Sequence, residues 1–267
     1  MANREINNFQ ELFKENKYLN AKNHLYNYLL RKRAIRKCLK GDQPELMLEV
    51  GSGISPLAAD TGNIVYSDIS FEAISILKQT RASGHYVVAD AMHLPFQTNI
   101  YSHIICSEVL EHLKNDRHAI AEIFRTLKKP QGCLLVTVPH RRRYFGYDDR
   151  YVKHYRRYEL AEIRERLRSA GLQPILIQKV LGLTDKITMI FVVFLFSIFH
   201  RSTSGKMTEG QIIWLRPLNL MMVVFKWINQ FYKGYVWLEA QIMPLSFSTV
   251  ILIKARVSQE IGRREKG

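Results

Sequence analysis

A strand that breaks at two closely spaced glycines constrains this chain more than any other stretch. Residues 45–56 read Glu-Leu-Met-Leu-Glu-Val-Gly-Ser-Gly-Ile-Ser-Pro. The apolar run Leu46, Met47, Leu48 and Val50 predicts a buried strand, closed by the carboxylate of Glu49 and by Gly51 and Gly53. Without side chains at the two glycines, the backbone turns tightly and a ligand can lie against it. Ser55 suits the cap of a following helix and Pro56 its first position. This order marks the corner of an open α/β sheet where a nucleoside ligand sits beyond the carboxyl ends of the strands.

The rest of the chain is read around that corner. Strands are predicted over 46–50, 63–68, 86–89, 103–106, 133–138, 174–179 and 248–254, with helices over 71–79, 116–127 and 159–170. Alternation of this kind implies an α/β fold with a mostly parallel sheet and helices on both faces. Four segments follow. Residues 1–41 form a basic, helix-patterned start, with Arg31, Lys32, Arg33, Arg36, Lys37 and Lys40 at its end. The sheet domain takes 42–182 and 247–257. Residues 183–246 are a hydrophobic helical insert between strands 6 and 7, and 258–267 a basic tail.

The insert departs from the few residues usual for such a connection. Its run over 187–199 is nearly all apolar but, at about thirteen residues, short of the roughly twenty needed to span a bilayer. A second run over 212–232 is interrupted by Arg216, Pro217 and Lys226. A lid over an apolar substrate, an in-plane membrane helix pair, a tilted insertion and a dimer face all fit. The net charge of +15 favours an anionic partner: nucleic acid, an acidic membrane face or a phosphorylated substrate. Cys38, Cys106 and Cys133 lack metal-ligand spacing and read as reduced thiols, and no metal is expected. Residues 1–24 are polar, without a leader's apolar centre, so a cytoplasmic protein is expected, peripheral on the inner face of the membrane.

Chemistry-bearing residues recur at successive strand ends. Glu49 and the Gly51-Ser52-Gly53 turn close strand 1. Asp68, followed by Ile69, closes strand 2 and can accept hydrogen bonds from both hydroxyls of a ribose. Asp90, with Ala91 and Met92, follows strand 3, where an acid can accept from an exocyclic amine beside an apolar face. Ser107 and Glu108 follow strand 4. His112 reads as fixing the start of a helix. After strand 5, residues 139–158 gather His140, Asp148, Asp149 and His154 among arginines and tyrosines. His154 or His140 can act as a general base, oriented by Asp149, and the arginines can bind phosphate. The competing reading is a loop tied down by ion pairs, with His154 capping or bridging.

Taken together, Leu48-Glu49-Val50-Gly51-Ser52-Gly53, Tyr66-Ser67-Asp68-Ile69-Ser70, residues 88–96, residues 106–113 and the Leu127-Lys128-Lys129-Pro130-Gln131-Gly132 turn resemble the class I S-adenosylmethionine-dependent methyltransferases, in their type 11, small-molecule or lipid form. The resemblance covers about 45–180 and the last strand. It implies a Rossmann-like, seven-stranded, mostly parallel sheet with an antiparallel last strand. The cofactor is then S-adenosyl-L-methionine, its methionine moiety over Gly51 and Gly53, its ribose at Asp68 and its adenine at Asp90 and Met92. Where many relatives have a third glycine this chain has Ser55, and the stretch before Asp68 leaves room for a first helix of only about two turns. The expected activity is methyl transfer to a small lipophilic, lipid-linked or phosphate-bearing acceptor at an anionic membrane surface. The alternatives are a non-catalytic cofactor-binding subunit docked on a membrane partner, and an RNA methyltransferase. Ser107-Glu108-Val109-Leu110 lacks the Pro-Pro-aromatic motif of enzymes that methylate base amines, and Ile105 rather than Pro precedes Cys106, so nucleic acid is the weaker partner.

Overall fold

The computed structural model describes residues 25–58, 63–81, 83–202 and 216–258. The helical pattern of residues 1–24 and most of the basic tail lie outside them. Seven strands form one sheet: β1 (Met47–Val50), β2 (Ile64–Asp68), β3 (His85–Val88), β4 (His103–Ser107), β5 (Cys133–Pro139), β6 (Leu172–Leu181) and β7 (Val250–Val257). Their order is β3-β2-β1-β4-β5-β7-β6. The first five run parallel, while β7 is antiparallel to both β5 and β6. Each predicted strand is present, and the antiparallel edge is the one the resemblance implies.

The α-helices among the described residues are α1 (Tyr26–Leu39), α2 (Phe71–Thr80), α3 (Asp116–Thr126), α4 (Tyr147–Tyr151), α5 (Leu160–Ser169), α6 (Leu183–Ser202) and α7 (Arg216–Ile242). Side chains alternate across a strand, so each central strand feeds two cores. Leu48, Ile104, Leu134 and Ile253 face Ile120, Ile123, Ile163 and Leu167 of α3 and α5. Met47, Ile105, Leu135 and Leu252 face Leu30, Ile35, Leu77 and Val236 of α1, α2 and α7. Helix α2 begins where Ser70 Oγ accepts the Ala73 N–H, at 3.1 Å.

Among the described residues no helix starts at Ser55: residues 53–55 are turn and bend, and Pro56 and Leu57 have no regular structure. The reason is Glu49. Its buried carboxylate accepts the N–H groups of Leu57 (2.7 Å) and Ala58 (3.0 Å), fastening the loop back onto β1. The Ser55 hydroxyl, the predicted cap, has no hydrogen-bond partner among the described residues.

Helices α6 and α7 are the apolar insert, and polar contacts tie their bases to α1 and to each other. Tyr26 OH donates to Asp185 Oδ1 at 2.8 Å, and the Thr184 N–H donates to Glu239 Oε1 at 3.0 Å. Farther out, Ile187, Ile190, Phe191 and Phe194 of α6 and Phe231, Leu238 and Ile242 of α7 are exposed. Among the described residues, no helix is long and apolar enough to cross a membrane.

Candidate active site

The five parallel strands end along one edge. Val50 pairs with Ser67 and Cys106, Asp68 with Val88, and Ser107 with Thr137, so the predicted site residues emerge side by side. Gly51 and Gly53 have φ of +70° and +53°, a backbone state that disfavours side chains. The N–H groups of Gly51 and Ser52 both donate to Ser67 O, at 2.8 and 3.0 Å. The Gly53 N–H donates to Asp68 Oδ2 at 2.8 Å, and Ser70 N–H to Asp68 Oδ1 at 2.9 Å. Asp68 thus stands beside the glycine turn. Asp90 Oδ1 accepts the Met92 N–H at 2.9 Å. Ala91 is buried, Met92 packs on the core, and Ile69 is exposed. Ser107 and Thr137 share a hydroxyl hydrogen bond of 2.7 Å.

Glu49, predicted among the ligand contacts, is instead occupied with the loop. Burial pushes its carboxyl up to about 7, against the pull of the two N–H donors and of Arg81. A folded state that holds this proton more tightly than the unfolded chain loses stability as pH rises from the ordinary 4.5 to about 7. The Glu49→Gln variant is expected to lack that slope. In urea melts between pH 5 and 8, the stability difference between the two proteins should change by roughly 3 kcal/mol; a difference constant with pH refutes the assignment.

A second depression lies past the ends of β4 and β5. It is a cavity of about 80 Å³, lined by Glu108, Asp149, His154 and Arg157, by Asn27 and Arg31 of α1, and by Met189 of α6. Its floor is a buried charge network. Asp149 accepts from Gly146 N–H (2.9 Å), Arg157 Nε (2.8 Å) and Lys186 Nζ (2.8 Å), and meets His154 Nδ1 at 3.0 Å. Burial pushes the Asp149 carboxyl up, but the hydrogen bonds from His154, Arg157 and Lys186 outweigh it and hold the group below the usual carboxylate range. Asp148 receives Lys186 Nζ at 2.6 and 2.7 Å.

The structure corrects three expectations here. His140 is wholly buried outside the cavity, its Nδ1 3.1 Å from Ser248 O, and burial lowers its pKa. Most arginines of residues 139–158 are already neutralised: Arg141 by Glu159 (2.9 Å), Arg142 by Glu162 (2.8 Å), Arg156 by Asp116 (3.4 Å) and Arg157 by Asp149. The tied-down loop is therefore right for them, and Arg31 of α1 supplies a cation to the cavity wall. His112 does not start α3. It closes a short 3-10 turn (Leu110–His112), and its ring meets His154 edge-on with centroids 4.7 Å apart.

Sequence reasoning passed over Glu111 and Lys186. Glu111 is wholly buried, and its nearest ion-pair partner is His154 Nε2, 3.8 Å from Oε1. Burial first, and then the neighbouring Glu108, push its carboxyl well above the usual range. Glu108 sits in the left-handed region (φ +54°), accepts the Thr137 hydroxyl at 3.1 Å and lines the cavity. For Glu111 a signal existed, the spacing Glu108-Val109-Leu110-Glu111-His112. For Lys186 there was none.

Residues 48–136 match the family described as Methyltransferase domain. An uncharacterized protein of Methanocaldococcus jannaschii is 36% identical over 95 residues, covering 35% of this chain and 40% of that protein. The ubiquinone/menaquinone biosynthesis C-methyltransferase UbiE of Vibrio cholerae is 31% identical over 118 residues, 39% of this chain and 45% of that enzyme. The chain thus spans less than half the length of these curated relatives. Two solved structures share its fold. The YcgJ protein of Bacillus subtilis has a TM-score of 0.55 at 15% identity, over 85% of this chain and 98% of that one. Phosphoethanolamine N-methyltransferase 2 of Haemonchus contortus, in complex with S-adenosyl-L-methionine, has a TM-score of 0.52 at 19% identity, over 85% and 52%.

Proposed function

From the premise that this chain carries a class I S-adenosylmethionine-dependent methyltransferase domain, we propose that it methylates a small lipophilic, phosphate-bearing acceptor at an anionic membrane surface. The carrying observation is the row of groups on one sheet edge: the glycine turn at Gly51 and Gly53, then Asp68, then Asp90 with Met92. Gly51 is packed so closely that a Cβ there would meet Val109 Cγ2 at 2.3 Å, which fixes the turn against the segment after β4. S-adenosylmethionine supplies a methyl group already activated on sulfonium sulfur. What remains for the protein is to hold the donor, align the acceptor and exclude water.

In this reading Asp68 takes the ribose hydroxyls, and Asp90 and Met92 take the adenine. The acceptor enters the cavity beside Glu108 and His154, where His154, oriented by Asp149, is the site of acceptor activation. Arg31 supports a phosphate, Met189 an apolar chain, and the exposed face of α6 and α7 a lipid surface. The similarity to UbiE supports a quinone-type acceptor among the lipophilic candidates.

Asp68→Asn is expected to weaken S-adenosylmethionine binding by about 10- to 100-fold, the worth of one or two charge-assisted hydrogen bonds. Calorimetry on both proteins checks it; equal affinity sinks the cofactor assignment. For the acceptor, the purified chain is incubated with methyl-labelled cofactor, a cell lipid extract and phosphatidylglycerol vesicles. Label in the organic phase and salt-sensitive co-sedimentation with vesicles are expected. Label confined to protein or RNA, or a chain left in the supernatant, overturns the lipid reading.

A further inference from the structure

Glu111 buries a carboxylate that no side chain among the described residues hydrogen-bonds. A buried carboxylate with no donor is costly, and a second carboxylate nearby raises that cost. Here Glu108 is that neighbour. The buried cations of this region are directed elsewhere: Arg157 to Asp149 and Thr249 O, and Lys186 to Asp148 and Asp149.

Imidazoles face the same point. A carboxylate oxygen of Glu111 and a ring nitrogen from each of His112 and His154 all lie within 4.8 Å of one another. Ligands bound at about 2.0–2.2 Å to one ion stand up to roughly 4.4 Å apart, so adjustments of a few tenths of an ångström bring the three onto one centre. The outer contact is also in place. Asp149 meets His154 Nδ1 at 3.0 Å, which leaves Nε2 directed at Glu111. A carboxylate on the far nitrogen of a ligating histidine fixes its tautomer and ring orientation. Asp149 is itself held by Arg157 and Lys186.

Asp42, His103 and Cys133 also cluster, but Asp42 Oδ2 already receives Lys254 Nζ at 2.8 Å and His103 Nε2 at 3.1 Å. The charge there is answered, whereas at Glu111 it is not.

We propose that Glu111, His112 and His154 bind one divalent transition-metal ion, whose remaining coordination positions open on the acceptor cavity. Two imidazoles with one carboxylate, and open positions for oxygen ligands, suit Mn²⁺, Fe²⁺, Co²⁺ or Zn²⁺. The expectation of no metal came from cysteine spacing, and this site uses no cysteine. The proposal deepens the methyltransferase reading and rests on it for its chemical consequence, which is an oxygen acceptor. A hydroxyl held at such an ion loses its proton to solvent near neutral pH. Its oxygen then bonds the methyl carbon, the carbon–sulfur bond breaks, and the electron pair returns to sulfur, leaving a neutral thioether. No electron is gained or lost overall.

The test needs no acceptor. The full chain is stripped with a chelator, dialysed, and titrated with Mn²⁺ by calorimetry and electron paramagnetic resonance, and with Co²⁺ by visible absorption. One ion per chain and nitrogen hyperfine coupling on Mn²⁺ are expected. Glu111→Gln and His112→Asn should each weaken uptake by at least about tenfold, while S-adenosylmethionine affinity in the stripped protein stays within about twofold of wild type. Should a variant fail to fold, the hyperfine coupling in the wild-type protein still decides. No saturable uptake by wild type, or uptake without nitrogen coupling and undiminished in both variants, overturns the site. If cofactor binding persists in that event, the methyltransferase reading stands alone; if cofactor binding fails while the ion binds, that reading falls and the site remains.

Discussion

Asp149→Asn should cost this protein about 3 kcal/mol of stability and lower methyl transfer by at least about a hundredfold, with S-adenosylmethionine affinity unchanged. The carboxylate collects Gly146 N–H, Arg157 Nε, Lys186 Nζ and His154 Nδ1 within 3.0 Å, with Asp149, Arg157 and Lys186 buried. An amide of the same size keeps one acceptor oxygen but presents an NH₂ group to donors. Removing one member of a buried charge network typically costs 3–5 kcal/mol, roughly, because the partners remain desolvated. The lower figure applies, since Lys186 keeps Asp148 and Arg157 keeps Thr249 O. Turnover falls further because His154 loses the group that sets its ring. The pH dependence separates this from a packing defect. The folded state holds Asp149 below its ordinary range, so its contribution is complete above the unfolded value near 3.9 and is lost as pH falls through the lower folded one. The stability gap between wild type and variant should be flat from pH 8 to about 5 and shrink below about 4. Chemical melts across that range give the answer, and a gap that stays constant down to pH 3 would rule the account out.

How far the sequence reveals such a site depends on how local its signals are. The strand ends were legible because periodicity places Asp68 and Asp90 after apolar runs, and parallel order alone then brings them to one edge. The pairing of His154 with Asp149 was readable as a possibility, because five residues separate them in one loop. The anchor of the insert was not. Tyr26 reaches Asp185 across 159 positions, and Lys186 reaches Asp148 across 38. No window of pattern spans such distances. The basic run after β5 misled for a related reason. Its arginines find Glu159, Glu162 and Asp116 only once α5 and α3 are packed, so a charge excess in sequence becomes ion pairs in space. At Ser55, among the described residues, tertiary structure overrides a local start signal. Two N–H groups that a helix start would leave for a capping side chain or water are taken by Glu49 instead.

Gly51→Ala should abolish measurable S-adenosylmethionine binding while the sheet still folds. Two independent costs meet at this position. The backbone sits at φ +70°, where a Cβ costs about 1–2 kcal/mol. The added methyl would also lie 2.3 Å from Val109 Cγ2, far inside contact distance. Valine is short and branched, so it cannot swing aside as a long side chain would. Relief must come from the backbone of the turn or from the segment after β4. Either movement disturbs both halves of the site, because Gly51 and Ser52 N–H donate to Ser67 O while Val109 adjoins Glu108 and leads into Glu111. The backbone term alone predicts a loss of roughly five- to thirtyfold in affinity, and the overlap carries it past what calorimetry detects. Pairing the variant with Val109→Ala isolates the second term. Removing the two Val109 methyls opens the space, so the double variant should recover binding to within about thirtyfold of wild type. Calorimetry on the four proteins, with circular dichroism to confirm the sheet, measures both terms. Wild-type affinity in the single Gly51→Ala variant would mean that the cofactor does not lie against this turn.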